Sequence, residues 1–228
     1  MKQNENKIVV AIDGPAGAGK TTVSKLVAKK LGFVHVDTGA MYRAVTYKLL
    51  NSDISLDDIE AIKKTLETLD IDFKLEDDEL KVLVDKKDVS KEIRSEYVSA
   101  NVNFVAAIPE VRQKLRELQR LIGMKYNCVM EGRDITTAVF PETKFKFYLD
   151  APVEERALRR YNELVEKGDK VTFEEVKSAI IRRDELDRTR GINPLRIDEN
   201  AIVINTFGLT QQQVADKIVE YVKSMSNI

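Results

Sequence analysis

Five short apolar runs, at 8–12, 33–36, 128–130, 145–149 and 201–204, punctuate this chain, and between them the apolar positions recur at helical spacing. That alternation predicts an α/β wound parallel sheet of five strands. The strands are short and continuously apolar because helical crossovers cover both faces. Helical periodicity predicts segments near 20–31, 40–51, 56–68, 95–107, 110–125, 153–167, 173–189 and 210–225, with Pro109 separating the two in the middle. Residues 70–94 break the rhythm. Ile71-Asp72-Phe73-Lys74-Leu75 alternates, Glu76–Glu79 reads as a turn, Leu80-Lys81-Val82-Leu83-Val84 alternates again, and Asp85–Asp88 turns once more. This is the pattern of a small antiparallel meander. It falls between the second and third core strands and is expected as an insert on the acceptor side, spanning 70–94 or as widely as 52–104. The rest, 1–69 and 95–228, forms the core.

Gly14-Pro15-Ala16-Gly17-Ala18-Gly19-Lys20-Thr21 fits the phosphate-loop pattern G-x-x-x-x-G-K-[ST] at every fixed position. It follows the first apolar run and opens a helix in which Val23, Leu26, Val27 and Leu31 recur at helical spacing before Gly32 stops it. That context sets aside the plainer reading, a glycine-rich turn with an exposed lysine. In such a loop the backbone N–H groups turn inward around the β-phosphate, Lys20 reaches the β and γ oxygens, and the Thr21 hydroxyl is placed to ligate Mg²⁺. The dipole of the following helix adds to the attraction. The expected architecture is therefore a P-loop three-layer fold with a five-stranded parallel sheet, a small antiparallel insert domain and a helical lid at about 168–195.

The 228 residues are 43% hydrophobic, which suits one large domain carrying an insert. The net charge is −1, from 37 basic and 38 acidic residues, so no global positive field exists to hold a nucleic-acid duplex, and no nucleic-acid partner is expected. Met1–Lys7 is polar and leads into no apolar stretch long enough for a signal peptide or a membrane span, so a cytoplasmic protein without a membrane partner is expected. One cysteine, Cys128, and one histidine, His35, exclude a disulfide framework and a Cys/His zinc site. Both sit in apolar runs and read as strand residues, leaving a chemistry without histidine or thiol.

In open α/β sheets the ligand lies beyond the carboxyl ends of the strands. After the first run comes the phosphate loop; after the second, Asp37-Thr38-Gly39-Ala40-Met41-Tyr42-Arg43; after the third, Glu131-Gly132-Arg133-Asp134. A phosphotransferase acting on an alcohol profits from a general base, whereas a phosphate acceptor, with its second pKa about 6, is already largely ionised. The difficulty then is to bring two polyanions together, and arginine forks serve it at about 1.5–3 kcal/mol per charge-assisted contact. The candidates are Arg43, Arg112, Arg133, Arg156, Arg159, Arg160, Arg183 and Arg190, of which Arg159 and Arg160 read first as charges on a solvated helix face. Arg183, Asp187 and Arg190 recur at i, i+4, i+7 on one helix face. They form either a ladder of surface ion pairs or, given the breaker Gly191-Ile192-Asn193-Pro194 that follows, a flap that closes over the site.

These residues resemble those of bacterial cytidylate kinases, in the nucleoside monophosphate kinase group, along nearly the whole chain. The resemblance rests on Ile12-Asp13-Gly14-Pro15-Ala16-Gly17-Ala18-Gly19-Lys20, Asp37-Thr38-Gly39-Ala40-Met41-Tyr42-Arg43, Gly132-Arg133-Asp134 and Arg183-Asp184-x-x-Asp187-x-x-Arg190, in the family's order and approximate spacing, and on the insert. It implies that Arg43, Arg133 and Arg190 hold the acceptor phosphate, that Asp187 and Arg183 meet the ribose, and that Arg112, Asp134 and Thr38 surround the cytosine. Lys20, Arg43, Arg133 and Arg190 would then be the catalytic set, with residues Gly14 to Thr22 and Arg156 on ATP. The base chemistry agrees, since a carboxylate accepts the N4 amine of cytosine and opposes the O4 of uracil. For Asp134 the plainer alternatives are a partner for Arg133 or a helix cap. Two positions depart from the pattern. Asn103 stands where a serine commonly contacts the base, and is kept as a contact because an amide donates and accepts; Thr136 stands where glycine commonly follows Gly-Arg-Asp-x.

The implied reaction passes the γ-phosphoryl group of Mg·ATP in line to CMP or dCMP, giving CDP or dCDP without a covalent intermediate. Asp13 and Asp37 are candidates to order metal-bound water, and a monomer is expected. Two rivals stay open: a P-loop kinase for another nucleotide or a small alcohol metabolite, and a non-enzymatic nucleotide-binding switch.

Overall fold

Strand β1 (Val9–Asp13) is buried along its whole length, and its alternate side chains enter two different cores. Val9 and Ala11 join one apolar cluster, Val10 and Ile12 another. This division is what a parallel strand covered on both faces requires. The computed structural model describes residues 7–76 and 79–226. The parallel strands are β1, β2 (Val34–Asp37), β6 (Cys128–Gly132), β7 (Phe145–Asp150) and β8 (Ile202–Asn205), in the spatial order β2-β6-β1-β7-β8. All five expected strands are present. The register pairs Val9 with Cys128, Val34 with Cys128 and Val10 with Phe145, which brings the carboxyl ends of β2, β6 and β1 to one edge.

Helices α1 (Lys20–Leu31) and α8 (Gln211–Met225) pack together on one face, over Val10, Ile12, Val129, Phe147 and Leu149. On the other face lie α2 (Thr38–Leu50), α3 (Ile59–Thr68), α4 (Glu96–Val105) and α5 (Pro109–Lys125). The result is three layers. Helix starts follow the side-chain chemistry: Asp37, Asp58 and Ser95 each accept a backbone N–H at the start of α2, α3 and α4, and Pro109 opens α5. Among the described residues no helix is long and apolar enough to cross a membrane.

The meander is present as β3 (Ile71–Glu76), β4 (Glu79–Val84) and the two-residue β5 (Lys87–Asp88). Part of the turn expected at Glu76–Glu79, Asp77 and Asp78, lies outside the described residues. One parallel pair, His35 with Glu79, joins β4 to the free edge of β2. Ile71, Val82 and Val84 enter the same apolar cluster as Val34 and Met41, so the insert shares the main core. Beyond β7 the packing is different. Helices α6 (Val153–Glu166) and α7 (Phe173–Thr189) hold a small cluster of their own around Ala157, Val176 and Ile180, closed by an edge-to-face contact of Tyr161 and Phe173 at 6.3 Å. A capping box of Thr172 and Glu175 starts α7.

Candidate active site

The phosphate loop is bent hard against β7. A Cβ on Gly14 would lie 2.2 Å from the Leu149 carbonyl oxygen, so only glycine fits that approach. At the far end Gly19 takes the left-handed conformation as the N-cap of α1, and no side chain caps the first turn. Its N–H groups therefore remain available to an anion. Lys20 is 7% exposed and its Nζ donates to the Pro15 carbonyl at 2.7 Å, folding the lysine back over its own loop. Burial, helped by the nearby Arg133 charge, lowers the Lys20 ammonium to about 7. Negative phosphate oxygens would reverse that shift.

Thr21 donates to Glu131 Oε2 at 3.1 Å, and Glu131 Oε1 lies 3.1 Å from His35 Nε2. The buried Glu131 is thus the carboxylate set beside the phosphate-loop hydroxyl. Asp13 and Asp37, candidates to order metal-bound water, each accept hydrogen bonds from protein. Asp13 accepts from Ile135 N at 3.0 Å, Thr136 N at 2.8 Å and Thr136 Oγ1 at 2.6 Å. Burial pushes its carboxyl up to about 6 against those hydrogen bonds. Thr136 itself lies in a wide turn in which Phe140 N donates to Ile135 O, five residues back, and its hydroxyl adds a third tie from this turn to β1 beside the two backbone N–H groups. Asp37 Oδ1 caps α2 through Ala40 N at 3.0 Å.

Around the ends of β6 and α7 the structure gathers a set of paired and unpaired charges. Arg133 Nε donates to Asp187 Oδ2 at 2.8 Å. Asp134 Oδ2 accepts from Arg112 at 2.5 Å and its Oδ1 lies 3.3 Å from Arg190, so its partners are Arg112 and Arg190, neither Arg133 nor a cap. Arg112 also donates to Ala106 O at 3.0 Å and stands over the Tyr42 ring at 5.5 Å. Burial pushes the Tyr42 phenol up to about 12. Thr38 turns its hydroxyl proton to the Glu131 carbonyl at 2.7 Å. Asn103 is half-buried on α4 and makes no side-chain hydrogen bond among the described residues.

Arg43 and Arg183 complete the set differently. The Nε of each is enclosed without a hydrogen-bond partner, and neither side chain makes an ion pair among the described residues. Burial lowers both guanidiniums below their ordinary value, and Arg133 adds to the effect in each case; Arg183 falls to about 10. Asp187, whose burial alone would raise it, is instead held below the usual carboxylate range by Arg133, Arg183 and Arg190.

Arg156, expected on ATP, engages protein through its Nε and NH1. It donates from Nε to Ala151 O at 2.9 Å and from NH1 to Ala16 O at 2.8 Å and Asp184 Oδ2 at 2.6 Å. A guanidinium this enclosed satisfies its N–H groups on the nearest carbonyls and carboxylate. Arg159 reaches Thr206 Oγ1 and O at 3.0 and 3.1 Å and binds the loop after β8, whereas Arg160 stays on the exposed face with Glu163. Glu131, Asp184 and Tyr42 are the site residues that sequence reasoning did not single out. Each lies inside or beside a quoted motif, and that adjacency was the available signal.

A family model described as cytidylate kinase matches residues 10–224. A cytidylate kinase of Carboxydothermus hydrogenoformans is 49% identical over 219 residues, covering 96% of this chain and 99% of the relative. One of Bacillus subtilis is 45% identical over 222 residues, covering 97% and 99%. Among solved structures, an uncharacterized protein from Eubacterium ventriosum superposes with a TM-score of 0.52 at 15% identity, over 96% of this chain and 99% of that one, a likeness of fold alone. Identity of that depth, running from end to end of both partners, makes this chain a member of the cytidylate kinase family.

Proposed function

We propose that the chain transfers the γ-phosphoryl group of Mg·ATP directly to the phosphate of CMP or dCMP, giving ADP and CDP or dCDP. One observation carries this reading. Arg43 and Arg183, neither held in a close ion pair among the described residues, lie near Arg133 and the phosphate-loop Lys20, a cluster of cations suited to two phosphate-bearing ligands. Five neighbouring carboxylates are engaged. Asp13 holds backbone and Thr136, Asp134 and Asp187 hold arginines, Asp184 holds Arg156, and Glu131 holds Thr21 and His35. None of these five is free of a hydrogen-bond or ion-pair partner, and an ionised phosphate acceptor needs no carboxylate base.

Lys20 and the loop amides bind the donor phosphates, and Arg43, Arg133, Arg183 and Arg190 gather the acceptor and stabilise charge in the transition state. Arg112 and Asp134 read the cytosine edge, Asp187 the ribose. The hard oxygens of Thr21 and Glu131, 3.1 Å apart, fit Mg²⁺, which takes one or two protein ligands together with phosphates and water. These two residues would hold the ion, which when bound would supply positive charge for the donor phosphates. The lid about 168–195 shuts the cleft against water.

The test is a coupled assay at fixed Mg·ATP across CMP, dCMP, UMP, AMP and shikimate. CMP or dCMP is expected to give the highest kcat/KM, with ADP formation that depends on acceptor. A best rate with shikimate would overturn the base-free mechanism, and ADP release indifferent to any acceptor would make the chain a nucleotide-binding switch.

A further inference from the structure

Helix α7 shows a different side chain to each half of the cleft. Asp187, with Arg183 close by, meets Arg133 on the acceptor side. Asp184 turns to the donor loop. It is 3% exposed, and it accepts from Ala16 N at 3.0 Å and from Arg156 NH1 at 2.6 Å. The same Arg156 nitrogen donates to Ala16 O at 2.8 Å, while its Nε donates to Ala151 O at 2.9 Å. The Ala16 residue of the phosphate loop is thereby gripped at both its N–H and its C=O, from a lid carboxylate and the arginine that this carboxylate holds.

Packing does not demand this arrangement. Helices α6 and α7 already share the apolar cluster of Ala157, Val176 and Ile180, and a buried ion pair is weak evidence of net stabilisation, because desolvation offsets its attraction. What it does supply is a fixed relation between α7 and the loop. Arg183, Asp184 and Asp187 lie within about one helical turn, so they move as one body.

We infer that Asp184 is a positioning residue through which acceptor binding sets the shape of the phosphate loop. The inference rests on the CMP kinase reading above. When the acceptor engages Arg183 and Asp187, α7 is held, Asp184 holds Ala16, and the Gly17–Lys20 amides are set for the donor phosphates. By reciprocity, a bound donor favours the acceptor to the same extent.

The experiment is calorimetric titration of the Mg²⁺ complex of AMP-PNP, a non-hydrolysable ATP analogue, into wild type and Asp184→Asn, each with and without saturating CMP. In wild type, CMP is expected to tighten the analogue about tenfold, within the ordinary span of coupling between sites. In Asp184→Asn, CMP affinity stays within about threefold of wild type while the coupling factor falls to about one. Hydrogen exchange of the segment 14–20 reads the same event: CMP alone slows it in wild type and leaves it unchanged in the variant. Coupling retained in Asp184→Asn to within about twofold overturns the inference, and so does a wild type that binds both ligands independently. Should Asp184→Asn not fold, Arg156→Lys carries the same measurement with the same two outcomes, since a single ammonium cannot reproduce the fork on Ala16, Ala151 and Asp184. A wild type that binds no CMP overturns the functional reading instead.

Discussion

Replacing Asp134 by asparagine removes one negative charge from a pocket that holds two guanidiniums, while keeping its shape. Two consequences can be separated. The first concerns stability. Arg112 is 4% exposed, and Asp134 at 2.5 Å is its ion-pair partner among the described residues. Breaking a buried pair outright costs about 3–5 kcal/mol. Asparagine still offers an acceptor oxygen, and Arg112 keeps Ala106 O and the Tyr42 ring, so the loss should be closer to that of one charged hydrogen bond, about 1.5–3 kcal/mol. The second consequence concerns selectivity. A carboxylate accepts from the cytosine N4 amine and repels the uracil O4, whereas an amide turns either way. The ratio of kcat/KM for CMP over UMP should fall by about 1–3 kcal/mol, roughly 5- to 150-fold. The assay is steady-state kinetics on both nucleotides at temperatures where circular dichroism shows wild type and variant folded. An unchanged ratio in a folded variant would show that Asp134 serves only as counter-ion to Arg112 and Arg190.

Three further outcomes follow from the same site. Burial holds the Lys20 ammonium at about 7 in the free protein, below its ordinary 10.5, so above that pH the unfolded chain binds more protons than the folded one, and this group adds stability as pH rises toward the ordinary value. Donor phosphates restore the charge, so Mg·ATP binding at pH 8 should take up close to one proton, read by calorimetry in buffers of different ionisation enthalpy; heats independent of buffer would refute the lysine's state. Arg183→Met removes a cation that has no ion-pair partner among the described residues, so thermal stability should stay within about 1 kcal/mol of wild type while kcat falls by about 10³ or more. Parallel loss of both would make Arg183 structural. Gly14→Ala drives a Cβ to 2.2 Å from Leu149 O at a φ of +153°, a strain of about 1–3 kcal/mol that should weaken Mg·AMP-PNP binding and lower the melting temperature; unchanged values in both would mean that the loop has room to give.

How far this site can be read from its amino acids depends on where each partner lies along the chain. The sheet was legible because strands buried on both faces leave continuous apolar runs, and β1 records its two-sided burial in five consecutive residues. The phosphate loop was legible because its chemistry is contained in eight neighbours. Pairing across the cleft was not. Thr21 meets Glu131 from 110 positions away, and Ala16 meets Asp184 from 168. Neither separation leaves a periodic trace. On α7 the spacing of Arg183 and Asp187 places both on one side, while Arg190, read from the sequence as a third member of that face, lies just past the helix as its C-cap; each residue advances the helix by about 100°, so Asp184 turns to the opposite partner while sitting inside the same run. Arg156 shows the converse: its charge type suggests phosphate, but its start on α6 beside Gly17, with Arg156 Cβ 3.0 Å from where a Gly17 Cβ would be, brings the guanidinium onto the loop's backbone. Charge type along a sequence thus tells which ligands a cleft can hold, and only the fold decides which of its charges touch the ligand and which hold the others in place.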